Sequence, residues 1–187
     1  MAVAIRSATP ADEAAALVLV GSLLPGMEGA FRACVARAPE LALVAVDGAE
    51  VVGVCFAAVP HEGEGVVLDG LAVDGTRTRE RVGTRLLTAF EERAAAAGFA
   101  RVSLGSAEGY VEDFYLQNGY VPVEFLVTTA EEEPPLDESL EVLRFRESGE
   151  ALLLNIASEN GYTQAEKERI RDLTSAHEVL LIFEKRL

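Results

Sequence analysis

Residues 66–106 read VVLDGLAVDGTRTRERVGTRLLTAFEERAAAAGFARVSLGS. VVLDGLAV (66–73) is β-rich and reads as a strand. DGTRTRERVG is a loop entering a helix. From about 79 to 97 the period changes: Val82, Leu86, Leu87, Phe90, Ala94 and Ala97 share one helical face. Gly98 ends that helix, and ARVSLGS (100–106) is another strand. Reaching it means crossing over the helix, and such crossovers leave the two strands parallel.

Working toward the N-terminus, LALVAVDGAEVVGVCFAAV (41–59) has two β-rich runs flanking Asp47-Gly48, a pair that tolerates positive φ in a hairpin turn. EGEG (62–65) turns the chain into the strand at 66, so three antiparallel strands form a meander. VAIRSA (3–8) is a first strand. Thr9 is expected to cap a helix with Pro10 at its first position, and a second helix covers 27–38. Working toward the C-terminus, YVEDFYLQ (110–117) is a short helix ended by Asn118-Gly119. YVPVEFLVTT (120–129) follows as a strand, and Pro122 marks an edge or bulge.

AEEEPPLDES (130–139) is acidic and Pro-rich, a linker. Beyond it come SLEVLRFRE, a turn at Ser148-Gly149, EALLLNIA, a helix opened by the T-x-x-E box of Thr163 and Glu166, and HEVLLIFEKRL: a ββαβ extension. SLEVLRFRE is the segment expected to complete the sheet. The fold class is therefore α/β with a mixed (α+β) sheet, antiparallel strands leading into a β-α-β crossover. Its expected parts are a domain over 1–129, a linker over 130–139 and an extension over 140–187 that docks or builds a dimer.

The formal net charge is −15, with 16 Lys or Arg against 31 Asp or Glu. A field of that sign repels phosphate backbones, so nucleic acid and anionic membrane surfaces are excluded as general partners; the same acidity serves solubility or favours a cationic substrate. Cys34 and Cys55, without a secretory pattern at the start, point to reduced thiols in a cytoplasmic protein, which is expected to be prokaryotic. His61 and His177 lack partners at ligand spacing, so no metal site is expected. Against that acidity, Arg77, Arg79, Arg81 and Arg85 crowd one loop and helix start. Helix N-termini bind anions through unpaired N–H groups, and arginine adds bidentate donors for phosphate. A solvated helix face balanced by Glu80, Glu91 and Glu92 explains the same spacing equally well.

Two motifs break the tie. Leu71-Ala72-Val73 followed by the loop to Gly83, and FYLQNGY (114–120), together resemble the GNAT superfamily of N-acetyltransferases over residues 1–128. The resemblance implies acetyl-coenzyme A as co-substrate, bound by Leu71, Ala72, Val73, Arg77, Thr78, Arg79, Arg81, Val82, Gly83 and Thr84. The family loop reads R/Q-x-x-G-x-G/A; here Thr78 replaces the leading Arg/Gln and Arg81 the middle glycine. Arg81 either crowds a diphosphate or points outward to contact one.

The resemblance also implies that the strand ending in Leu71-Ala72-Val73 splays from its neighbour. The N–H near Val73 then polarises the acetyl carbonyl. Tyr115 matches the tyrosine that often protonates the leaving sulfur, the alternative being that Phe114 and Tyr115 simply pack the helix. The family's glutamate position, four residues before Leu71, holds Val67, so Asp69 on the same strand face is either the candidate base, directly or through water, or an ordinary turn or edge aspartate beside Gly70. Glu108 either lines the acceptor pocket or caps the helix that follows. Glu112 and Asp113 read as solvated helix residues, and His61 as a turn residue. The implied reaction moves acetyl directly to an amine of a small molecule or peptide, in an enzyme that is a candidate homodimer. A catalytically silent acyl-coenzyme A binding or sensing module is the alternative, kept open by the altered loop and by Val67. A nucleotide-binding regulatory domain explains the arginines but not FYLQNGY.

Overall fold

The structure, a computed structural model, describes residues 3–58, 65–76, 81–106 and 109–187. It divides into two compact units, Met1–Ser103 with Arg186–Leu187, and Leu104–Lys185.

The first unit holds β1 (Ala4–Ser7), α1 (Glu13–Leu23), α2 (Glu28–Arg37), a 3-10 turn (Pro39–Leu41), β2 (Ala42–Asp47), β3 (Glu50–Ala57), β4 (Gly65–Val73), α3 (Val82–Ala96) and the start of β5 (Arg101–Ser106). The strands stand in the order β1-β2-β3-β4-β5. The first four are antiparallel and β4 runs parallel to β5, as the crossover requires. Gly48, at φ +63°, makes the β2–β3 turn. β2 is buried almost throughout, and β3 from Val52 onward, because both faces are covered. The covering elements show at two glycines. A Cβ on Gly53, the partner of Val73, would meet Leu86 of α3 at 2.9 Å. A Cβ on Gly70 would meet Leu24 after α1 at 3.0 Å. Positions 70 and 73 alternate, so α1 and α3 cover opposite faces.

The expected Thr9 cap is not made. Asp12 is the N-cap residue of α1, which starts at Glu13. The Asp12 carboxylate takes the Thr9 N–H and hydroxyl at 2.8 and 2.6 Å and a bidentate pair from Arg6 at 2.6 and 2.7 Å. The carboxylate makes no cap hydrogen bond to the helix; it turns back to Arg6 and draws the Thr9 hydroxyl with it. The Arg6 hydrogen bond, with the Thr9 donors, keeps Asp12 ionised far below the usual carboxylate range. On α3 the buried stripe is Val82, Leu86, Leu87, Phe90 and Ala94; Ala97 is the exposed C-cap.

The second unit holds the end of β5, α4 (Gly109–Gln117), β6 (Val121–Thr129), β7 (Leu140–Ser148), β8 (Ala151–Ser158), α5 (Gln164–Thr174) and β9 (Glu178–Arg186). Its strand order is β5-β9-β6-β8-β7. So β9, rather than SLEVLRFRE, lies beside β6, and β7 is the edge. The residues explain this. β9 carries Val179, Leu181 and Phe183, all buried, while β7 carries Glu141, Arg144, Arg146 and Glu147 and is exposed almost throughout. Pro122 lies beside a register shift against β9, and the β6–β8 ladder begins only at Phe125. The Thr163 hydroxyl caps α5 by accepting the Glu166 N–H at 3.2 Å. The Glu166 carboxylate instead accepts from Ser158 at 2.5 Å and from Arg169 at 2.6 and 2.8 Å.

Candidate functional site

In the first unit, β4 keeps β3 as partner from Leu68 to Val73, but its ladder with β5 is described only from Gly65 to Val67. The Asp74 N–H donates to the Val52 carbonyl at 2.9 Å. By alternation, the N–H groups of Leu71 and Val73 point away from β3, toward the side where the β5 ladder has ended. The register also steps at Phe56/Ala57: Phe56 faces Gly70 and Ala57 faces Leu68. Asp69 is thus the extra residue of a β-bulge, a distortion that re-aims side chains. Asp69, Leu71 and Val73 are partly exposed and Val67 is exposed, while Val66, Leu68, Gly70 and Ala72 are buried. Because the bulge shifts the alternation by one, Val67 does not share a face with Leu71 and Val73, unlike the single face expected for 67, 69, 71 and 73. Desolvation raises the Asp69 carboxyl above its ordinary value.

The loop after β4 opens with Asp74 accepting from the Thr76 N–H and hydroxyl at 2.8 and 2.7 Å. Arg77, Thr78 and Arg79 lie outside the described residues, as do His61, Glu80 and Glu108. The chain resumes at Arg81, the N-cap of α3, whose backbone is left-handed at φ +54°. This is the position where the family pattern carries its middle glycine, the residue suited to that conformation. The Arg81 side chain is exposed and Val82 is fully buried. Val82, Gly83 and Thr84 present leading N–H groups that the helix itself cannot satisfy. Arg85 is committed elsewhere: its guanidinium donates to the Val3 carbonyl at 2.7 Å. So of the two described arginines in this stretch, Arg81 stands at the helix start and Arg85 holds the residue before β1.

In the second unit, FYLQNGY forms the end of α4 and the entry to β6. The Tyr115 ring is buried, with centroids at 5.2 Å from Phe114, 5.6 Å from Tyr120 and 6.1 Å from Phe183. Gly119 takes φ +85° to end the helix. The Lys185 ammonium donates to the Asn118 carbonyl at 2.9 Å and lies 5.5 Å from the Tyr120 ring centre.

Glu112 is not solvated. It is 8% exposed, and its Oε1 accepts from the Lys167 ammonium at 2.9 Å. Lys167, on α5, is fully buried and escaped the sequence reading altogether. A signal existed: Lys167 shares the apolar stripe of α5 with buried Ile170 and Thr174, at helical spacing. Asp113 is exposed, as expected. Among the described residues no group of His, Cys, Asp or Glu could hold a metal ion, and no helix is long and apolar enough to cross a membrane.

A family model described as acetyltransferase (GNAT) family matches residues 13–120. No curated protein matches the chain. Solved structures do. The chain is similar to an IAA acetyltransferase from Bacillus cereus, with 17% identity over 100% of both chains and a TM-score of 0.61. It is similar to the aminoglycoside 6'-N-acetyltransferase from Enterococcus faecium, with 19% identity over 98% of this chain and 96% of that one, TM-score 0.60. A third is Arabidopsis thaliana Naa50 in complex with the bisubstrate analogue CoA-Ac-MVNAL, 13% identical over 84% of this chain and 99% of that one, TM-score 0.59. At these identities the likeness is one of fold.

Proposed function

The chain belongs to the GNAT family of acetyltransferases, and from that premise we propose that it moves an acetyl group from acetyl-coenzyme A directly to an amine of a small molecule or peptide. The supporting observation is the edge of β4. Leu71 and Val73 turn their N–H groups to the side where the β5 ladder has ended, and the strand leads within a few residues to the N-terminus of α3. That combination fits the co-substrate: strand-edge donors for a polar chain and carbonyl, then helix N–H groups for a diphosphate. Leu71, Ala72 and Val73 form the first part, and Arg81, Val82, Gly83 and Thr84 the second. Arg77, Thr78 and Arg79 are assigned to the same phosphates from the motif alone.

The Val73 N–H polarises the acetyl carbonyl. Asp69 takes the proton from the amine, directly or through water; burial has made it a stronger base than a surface aspartate. A C–N bond forms, the C–S bond breaks, and Tyr115 supplies the proton to the departing thiolate. Glu108 is assigned to the acceptor, for which the net charge of −15 favours a cation. We keep residues 1–129 as the acetyltransferase domain, 130–139 as a linker and 140–187 as its extension, and read the protein as cytoplasmic and a candidate homodimer.

Calorimetry with acetyl-coenzyme A at two salt concentrations, with ATP and NADH as controls, tests the binding half. Selective binding that weakens with salt is expected. Thiol release with a panel of aminoglycosides, polyamines and peptides tests the transfer half. No binding at any salt would overturn the proposal. Binding without turnover would leave the silent acyl-coenzyme A module.

A further inference from the structure

The chain has two lysines, Lys167 and Lys185. Lys167 is fully buried, and among the described residues its ammonium donates to Glu112 Oε1 at 2.9 Å and to the Ser106 carbonyl at 3.4 Å. Ser106 is the last residue of β5, and Glu112 lies in the first turn of α4. One cation therefore joins the end of the strand to the start of the helix, across the two residues between them. Glu112 and Tyr115 are three residues apart, so they share a face of α4. Both are buried. Fixing Glu112 sets the rotation of the helix about its axis and hence where Tyr115 points.

The other end of the clamp is itself fixed. Thr129 of β6 donates its hydroxyl to the Thr174 carbonyl at 3.0 Å, and Glu166 is held by Ser158 of β8 at 2.5 Å. So α5 is tied at both ends, with Lys167 between. Residues 13–120, which match the family, contain Glu112 and Tyr115; Lys167 lies outside them. A buried ion pair is a poor source of stability, because desolvating both charges offsets their attraction. It is a good locator, because few arrangements satisfy it.

We propose that Lys167 is a positioning residue for the proton-donating Tyr115, supplied by the C-terminal extension and acting through Glu112. This rests on the acid role proposed for Tyr115. The test uses the full chain, acetyl-coenzyme A and the best amine of the panel, with kcat, KM for acetyl-coenzyme A and Tm read for each variant. Lys167→Met should lower kcat roughly tenfold to a hundredfold, the scale of a misplaced catalytic group, with KM within about threefold. Its loss should not add to that of Tyr115→Phe: the double variant should be about as slow as Tyr115→Phe alone.

Lys167→Met leaves the Glu112 carboxylate buried without its ammonium partner and is prone to unfold, so the paired variant Lys167→Met with Glu112→Leu carries the same test without a buried charge. Wild-type kcat in a folded paired variant, or losses that multiply with Tyr115→Phe, would overturn the inference. So would unfolding of both Lys167 variants, since the pair would then be a stability element. A wild-type chain that transfers no acetyl, or a Tyr115→Phe variant at full speed, would instead sink the reading of the site beneath it.

Discussion

Arg81 gives its carbonyl to the first N–H bonded within α3, that of Arg85, at 3.1 Å, while its own backbone sits at φ +54°. A side chain in that conformation costs about 1 kcal/mol relative to glycine. The chain thus places a strained cation where the family pattern has a residue that would be at ease. Helix start and helix bond are intact, so the substitution alters the chemistry at the site and leaves its backbone in place.

Arg81→Gly should therefore move two readouts in opposite directions. Thermal stability should rise by roughly 0.5 kcal/mol, because relief of strain outweighs the added freedom of the unfolded chain. Affinity for acetyl-coenzyme A should fall severalfold and lose part of its salt dependence, because a guanidinium leaves the phosphate end. Calorimetry and a melting curve on one variant check both. Tighter binding would mean the side chain crowds the phosphates.

Gly70→Ala should destabilise by about 1–3 kcal/mol. The new Cβ would stand 2.3 Å from Cζ and 2.4 Å from Cε1 of Phe56. Phe56 cannot retreat, being fully buried with its ring edge-on to Phe31 at 5.4 Å. A drop in Tm of several degrees is expected, partly recovered by adding Phe56→Leu. An unchanged Tm would show that the ring has room the structure does not give it.

Legibility of these features follows the range of the forces behind them. The hairpin about Gly48, the β4–α3–β5 crossover and the Thr163 cap are local: a turn residue, a period of two, a period near four and a hydroxyl three residues from its donor. All were readable from the chain. The Thr9 cap failed because its hydroxyl is taken by the Asp12 carboxylate, which a guanidinium six residues away also holds. Glu112 looked solvated because a carboxylate in a short polar helix usually is; its partner lies 55 residues along the chain. The insertion of β9 beside β6 is equally non-local. At the site, strand identity and the Tyr115 motif could be read, but the bulge at Asp69 and the left-handed Arg81 could not, since both depend on pairing and backbone angles.

Glu166 predicts how stability responds to acid. Its hydrogen bonds from Arg169 first, then Ser158 and Asn160, lower its pKa to about 2. The unfolded value is near 4.3. A depressed folded pKa means the contribution is complete above the unfolded value and is lost as pH falls from there toward 2. Glu166→Gln should thus cost on the order of 2 kcal/mol at pH 6 and progressively less toward pH 2.5. Urea midpoints for both chains across that range give the comparison. A cost that stays constant with pH would mean that packing rather than charge holds the α5 N-terminus.

Asp69 predicts the pH dependence of transfer. Burial raises its pKa, so the carboxyl stays protonated to a higher pH than a surface aspartate does. A base works only when deprotonated, so kcat/KM should fall on the acid side with a midpoint above the ordinary aspartate value near 3.9. Asp69→Asn should remove that limb and lower the plateau roughly a hundredfold, the usual scale of general-base catalysis. The bulge matters here: Asp69 is the one residue of β4 without a register partner on β3 between Leu68 and Val73. Asp69→Glu should keep the limb while changing KM for the amine. If Asp69→Asn left both plateau and limb intact, the bulge would serve the bend of β4 alone, and the base would have to be sought elsewhere.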